Sequence, residues 1–262
     1  MAQAFFGGIH PNDQKAATNK KPIETLPPPA QVVLPMSLHI GAPCQPCVAV
    51  GDYVTVGQKV GEAPAFVSAP VHASVSGKVA AVEPRIHFSG VPVMSVVIDN
   101  DFNDTPCPSL APPADPEKLT AEQISNLVKE AGIVGMGGAT FPTHVKISSG
   151  LGKVDTVIVN ASECEPYITS DHRTLLEHPE EVLGGVRILA KLFGVDWVHI
   201  AIEANKANAA EMLKIKIAEE KAPAVVDVLQ TRYPQGAEKQ LCQSITGKQV
   251  PPGALPAAIG CA

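Results

Sequence analysis

The 262-residue sequence carries a net charge of −6, with 45% hydrophobic and 18% charged residues. That balance supplies cores for two modest domains and argues against a nucleic-acid partner, which would require a basic face. No apolar run approaches the ~18 residues of a membrane span, so no direct membrane span is expected. The first residues lack a basic stretch followed by an apolar run, so no secretory signal is expected, and the six scattered cysteines fit a reduced, cytosolic setting.

Residues 1–34 are polar and lysine-dotted, with Pro22, Pro27, Pro28 and Pro29, and predict an extended N-terminal arm. Residues 35–100 predict an all-β domain. Val48–Gly61 alternates β-formers with glycines at turns, and Ser68–Val79 repeats the style. The two segments resemble the barrel-sandwich hybrid of biotin- and lipoyl-carrier domains. The hairpin between them, Glu62 to Ser68, has no lysine to carry a cofactor, so a structural or docking role is expected.

No metal site is predicted. Cys44-x-x-Cys47 lacks the two further ligands a zinc site needs, and no clustered cysteine run for an iron–sulfur cluster occurs in the chain. Asp99-x-Asp101-x-Asn103 begins like a calcium loop but has Asp104 where glycine is required and Leu110 where glutamate is required. Residues 101–118 are proline-rich and read as a linker.

A helix is predicted from Thr120, which forms a capping box with Gln123. Ile124, Leu127, Val128 and Ala131 make its apolar stripe, and Gly132 stops it. A glycine-rich loop follows, Gly135-Met136-Gly137-Gly138-Ala139-Thr140-Phe141-Pro142-Thr143-His144-Val145-Lys146. Glycines let backbone amides approach a ligand, Phe141 offers a stackable ring, and Lys146 adds positive charge suited to a phosphate. The loop is neither G-x-G-x-x-G nor a P-loop. Strand–helix alternation then sets in: a strand over 154–159, a helix opened by Pro179 and closed by Gly194, and a strand over 197–202. A helix capped by Asn205 and a strand over 225–229 complete it. Residues 119–248 are therefore expected to form an α/β, Rossmann-like domain with a mostly parallel sheet, following the all-β domain. Ligands in such sheets sit beyond the carboxyl ends of the strands, where Asn160–Glu163 and Gln230–Glu238 fall.

Three segments, in order, resemble the flavoprotein subunit of respiratory complex I. The glycine loop is similar to its G-R-G-G-A-G-F-P-T-G-x-K run, with Met136, Thr140 and His144 as departures. Asn160-Ala161-Ser162-Glu163-Cys164-Glu165-Pro166 resembles N-A-D-E-S-E-P, and Tyr233-Pro234-Gln235-Gly236-Ala237-Glu238 resembles Y-x-x-G-E-E. The Phe5–Pro11 start, with Lys15 and Thr18, resembles the C subunit of the Rnf complex, an ion-translocating ferredoxin:NAD+ oxidoreductase. The resemblance covers nearly the whole chain and implies its N-terminal part, with residues 249–262 beginning a truncated following domain.

The resemblance implies FMN and NAD(H) as cofactors, with two [4Fe–4S] clusters in the missing C-terminal part. It implies other Rnf subunits, NADH and a ferredoxin electron pathway as partners, at the cytoplasmic side of the cell membrane. In the implied site, the amides of Gly135, Gly137, Gly138 and Ala139 lie along the flavin and Lys146 serves phosphate or ribityl oxygens. Asn160 and Ser162 offer neutral hydrogen bonds, and Glu163 and Glu165 accept from ribose or flavin groups beside Cys164. Tyr233, Gly236 and Ala237 form the facing turn, while Phe141 and Glu238 serve NADH. Ser162 and Ala237 stand where the pattern has carboxylates. A domain that has lost flavin and acts as a docking scaffold is the alternative.

Overall fold

The computed structural model describes residues 5–110, 118–136 and 140–262. Gly137, Gly138 and Ala139 lie outside the described residues. The chain divides into two compact units, Leu26–Ser148 and Met1–Thr25 with Ser149–Ala262. Residues 119–148 thus group with the β-rich unit, and the predicted arm divides between the two.

In the first unit, β1 (Gln31–Pro35), β7 (Pro92–Asn100), β6 (Gly77–Ile86) and β3 (Tyr53–Val54) form an antiparallel sheet in that order. A second sheet holds β2 (Gln45–Pro46), β4 (Lys59–Glu62) and β5 (Val71–His72). Val54, Val60, Val79, Val96 and Ile98 are fully buried in the shared core, with Met36 beside them. Gly77 is required at its position: its φ is +148°, and a Cβ there would lie 1.9 Å from the Asp99 carbonyl oxygen.

Helix α1 (Ala121–Glu130) starts at the predicted capping box. Gln123 N donates to Thr120 Oγ1 at 3.2 Å, and Thr120 N donates to Gln123 Oε1 at 2.8 Å. Gly132 follows with φ +69°, where a Cβ would meet the Pro70 carbonyl at 2.4 Å. Helix α2 (Thr143–Gly150) was not predicted.

The second unit is built on a parallel sheet in the order β10 (Ala224–Leu229), β9 (Val198–Glu203), β8 (Val157–Ala161). Alternate residues face opposite layers. Ile200 and Ile202 pack with Leu183, Val186 and Ala190 of α4 (Pro179–Phe193) and Leu213 of α5 (Ala207–Glu220). Ala201 packs on the other face with Leu241 of α6 (Glu238–Thr246). Pro179 opens α4 and Gly194, at φ +66°, closes it, as predicted. Lys206, not Asn205, precedes α5. Helix α3 (Ser170–Glu177) and α6 are additions to the predicted set. Residues 260–262 lie alongside β8, with Ala262 N donating to Thr156 O at 3.0 Å and Ile158 N to Ala262 O at 2.9 Å.

Candidate functional site

Two of the three predicted segments meet at the carboxyl edge of the parallel sheet. Asn160, near the end of β8, donates from Nδ2 to the Gly236 carbonyl at 2.8 Å and accepts from Ser162 N at 3.2 Å. Gly236 N donates to Cys164 Sγ at 3.2 Å. A Cβ at position 236 would sit 3.2 Å from that sulfur and 3.6 Å from Ser162 Cβ, so the close approach favours glycine. Burial pushes the Cys164 thiol up, against the Gly236 hydrogen bond.

Ser162 is fully buried, and among the described residues its hydroxyl has no hydrogen-bond partner. Glu163, at φ +46°, turns its carboxylate to the start of α3 and accepts from Asp171 N at 2.6 Å and His172 N at 3.4 Å. Negative charge there is favoured by the helix dipole. Burial raises the Glu163 pKa, and the Asp171 amide opposes it. Glu165 is exposed, and its carbonyl accepts from Lys15. Tyr233 exchanges two backbone hydrogen bonds with Ile9, each 2.8 Å. Ala237 is the residue before α6, and Glu238 opens that helix on its exposed side rather than sitting in a turn.

The same edge holds buried charges that sequence reasoning missed. Glu203, the last residue of β9, and Lys206 are each 1% exposed, with Lys206 Nζ 3.6 Å from Glu203 Oε2. Lys206 also donates to Ser162 O and, at 2.9 Å, to Asn205 Oδ1. Glu203 Oε1 accepts from Arg232 N at 3.1 Å. Burial raises the Glu203 pKa and lowers that of Lys206. A cavity of about 50 Å³ lies among these groups, lined by His10, Asp13, Lys15, Cys164, Glu203 and Arg232 with their neighbours. The only available sequence signal was a Glu and a Lys three apart at a strand end, a spacing common on any solvated turn.

The glycine loop belongs to the other unit. Gly135 N donates to Phe141 O at 3.0 Å, closing the loop's base, and Thr140 has φ +48°. Among the described residues, a Cβ at Gly135 would meet nothing closer than 3.8 Å. Phe141 is half-buried, and Lys146 is exposed on α2. His144, one of the departures from the family pattern, is buried. Its Nε2 lies 2.9 Å from the Phe66 carbonyl, and the two rings stack edge-on at 5.8 Å. It anchors the start of α2 to the hairpin between β4 and β5.

The Nuo51 FMN-binding domain family matches residues 128–262, a span that takes in all three segments. The chain belongs to the Nuo51 FMN-binding domain family. Ahead of the Nuo51 match, the RnfC barrel sandwich hybrid domain family matches residues 3–103. The two matches bear out the expected order, an all-β barrel-sandwich domain followed by an α/β domain, and the resemblance to the N-terminal part of an Rnf C subunit. The C subunit of the Na(+)-translocating ferredoxin:NAD(+) oxidoreductase complex of Acetobacterium woodii is 51% identical over 98% of this chain. Its proton-translocating counterpart in Clostridium ljungdahlii is 42% identical over 99%. The chain spans 58% and 57% of the length of these two relatives. A solved NAD+-reducing [NiFe]-hydrogenase in the air-oxidized state is 26% identical, with a TM-score of 0.45 over 49% of this chain and 24% of that one.

The residues at the sheet edge fit a flavin in one respect: among the described residues the buried Ser162 hydroxyl has no hydrogen-bond partner, and a ligand's polar atom would satisfy it.

Proposed function

We propose that this chain is the FMN- and NAD(H)-binding portion of a membrane-associated, ion-translocating oxidoreductase that passes electrons between NAD(H) and ferredoxin. The observation that carries the reading is the convergence of Asn160, Ser162, Cys164 and Gly236 at the carboxyl edge of the parallel sheet. FMN, when bound, supplies hydride exchange with nicotinamide and one-electron chemistry toward iron–sulfur centres. Two [4Fe–4S] clusters are assigned to sequence beyond this chain. The chain's own residues bind and orient: Gly137, Gly138 and Ala139 offer amides beyond Gly135, whose own amide closes the loop's base on Phe141 O, Lys146 offers positive charge, and Ser162 a hydroxyl. Phe141 and Glu238 act on NADH. Other subunits of the complex hold the chain at the cytoplasmic side of the membrane. Among the described residues no helix is long and apolar enough to cross a membrane, in keeping with peripheral attachment.

A second reading, a flavin-less docking scaffold, is favoured by the commitment of Asn160 Nδ2 to Gly236 and of the Glu163 carboxylate to α3. Incubation of the chain with FMN, removal of free flavin and anaerobic addition of NADH separate the two. Bleaching of flavin absorbance is expected, slowed in Phe141→Ala and Glu238→Gln with FMN affinity nearly unchanged. Absence of bleaching, with FMN unbound, supports the scaffold.

A further inference from the structure

Lys15 is 4% exposed, although it stands in a polar arm and nothing in the sequence marks it for burial. Its ammonium donates to the carbonyls of Glu163 at 2.9 Å and Glu165 at 2.8 Å, and to that of Ile168. An ammonium has three donors and no acceptor, so its hydrogen-bonding capacity is filled by one loop. The loop needs such a centre. Glu163 and Tyr167 both have positive φ, 46° and 68°, a conformation disfavoured for residues with a side chain. With those turns three carbonyls converge on the buried ammonium, which holds them together.

The first part of the arm, residues 5–18, fastens the same edge at further points. Tyr167 N donates to Asp13 O at 2.7 Å, and Thr169 Oγ1 to Thr18 Oγ1 at 2.8 Å. Ile9 pairs with Tyr233, and Arg232 donates to Phe5 O at 2.9 Å while lying 4.8 Å over the Phe5 ring. The arm thereby ties the turn before α6 to the loop after β8, the two segments that carry Ser162, Cys164 and Gly236.

We propose that the N-terminal arm is the strap that orders the ligand edge, with Lys15 as a positioning residue that shapes the 162–169 loop through its three carbonyls. The three donors of Lys15 are committed to the loop. This rests on the FMN reading for its consequence, while loop ordering itself does not.

The test uses the full chain, wild type and Lys15→Met, in hydrogen–deuterium exchange and FMN titration. Exchange at amides 163–169 should rise at least tenfold in Lys15→Met, with the amides of β9 unchanged as the internal control, and FMN affinity should fall at least tenfold. Lys15→Arg keeps the charge but replaces three converging donors with a planar fork, and should loosen the loop nearly as much. Should Lys15→Met fail to fold, Thr18→Val removes one hydrogen bond of the strap and should raise exchange at 167–170 severalfold. Unchanged exchange at 163–169 overturns the strap. Raised exchange with unaltered FMN affinity overturns its role in ligand ordering. Raised exchange in a chain whose wild type binds no FMN upholds the strap and overturns the FMN reading instead.

Discussion

The two units fill their buried positions differently. Among the described residues, the β-rich unit buries His39, Ser68, Ser76, Ser95, Asn100, Ser125 and His144 but no Lys, Arg, Asp or Glu. The α/β unit buries Lys15, Glu203 and Lys206, all at the carboxyl edge of one sheet. Burying charge is unfavourable, and a purely structural core avoids it. The β-rich unit follows that rule, with Val54, Val60, Val79, Val96 and Ile98 as its centre. The departure from it in the α/β unit is confined to the place where a parallel sheet offers a ligand site. The contrast is between a core filled by apolar and neutral polar side chains and one that carries buried charge along a sheet edge.

The largest expected effect tests the buried charges. Lys206→Met leaves the Glu203 carboxylate without its nearest cation and removes a donor to Ser162 O, and should cost about 3–5 kcal/mol in urea unfolding. A loss below ~1 kcal/mol would mean the edge is wetter than the geometry indicates. In the β-rich unit, Ile98→Ala should cost about 2–5 kcal/mol as a cavity while leaving FMN affinity untouched, measured by titration of the folded fraction. A parallel loss of flavin binding would erase the contrast. Thr120→Ala removes one half of the capping box and should cost about 1 kcal/mol, again without effect on flavin.

The smallest effect is in pH. Glu163, Glu203 and Asp171 at the edge are all raised, burial being the leading cause in each. A raised carboxyl contributes stability that is present below its unfolded value and lost as pH rises through its folded one. In the β-rich unit, Glu130 is lowered by its hydrogen bond from Lys59, so its contribution is present at neutral pH and lost on acidification. Between pH 7 and 5, exchange at amides 162–171 should therefore slow relative to amides of α1. Equal change in both would remove the electrostatic side of the comparison.

Local chemistry explains what was legible in the sequence. Thr120 with Gln123, and Pro179 with Gly194, act within a turn or two of their own helix, so the sequence carries their meaning intact. Helix α3 has only Leu175 and its neighbour Leu176 as apolar residues, adjacent rather than a turn apart, and offers no periodicity. Helix α6 begins at Glu238, inside the motif itself, where the resemblance to a turn concealed it. Lys15 finds its partners some 150 residues away, and Lys206 acquires its burial only when β8 and β9 align. Of the site, the segments at 160–165 and 233–238 were legible as residues, and their meeting at Gly236 required the fold.

The central claim is that this sheet edge is the flavin site. Titrating FMN into the full chain while following flavin fluorescence and hydrogen–deuterium exchange tests it directly. The account predicts quenching that saturates at one equivalent, with amides in 160–165 and 233–238 protected by the ligand. Absence of quenching, or quenching that leaves both segments exchanging at their unliganded rates, would contradict it.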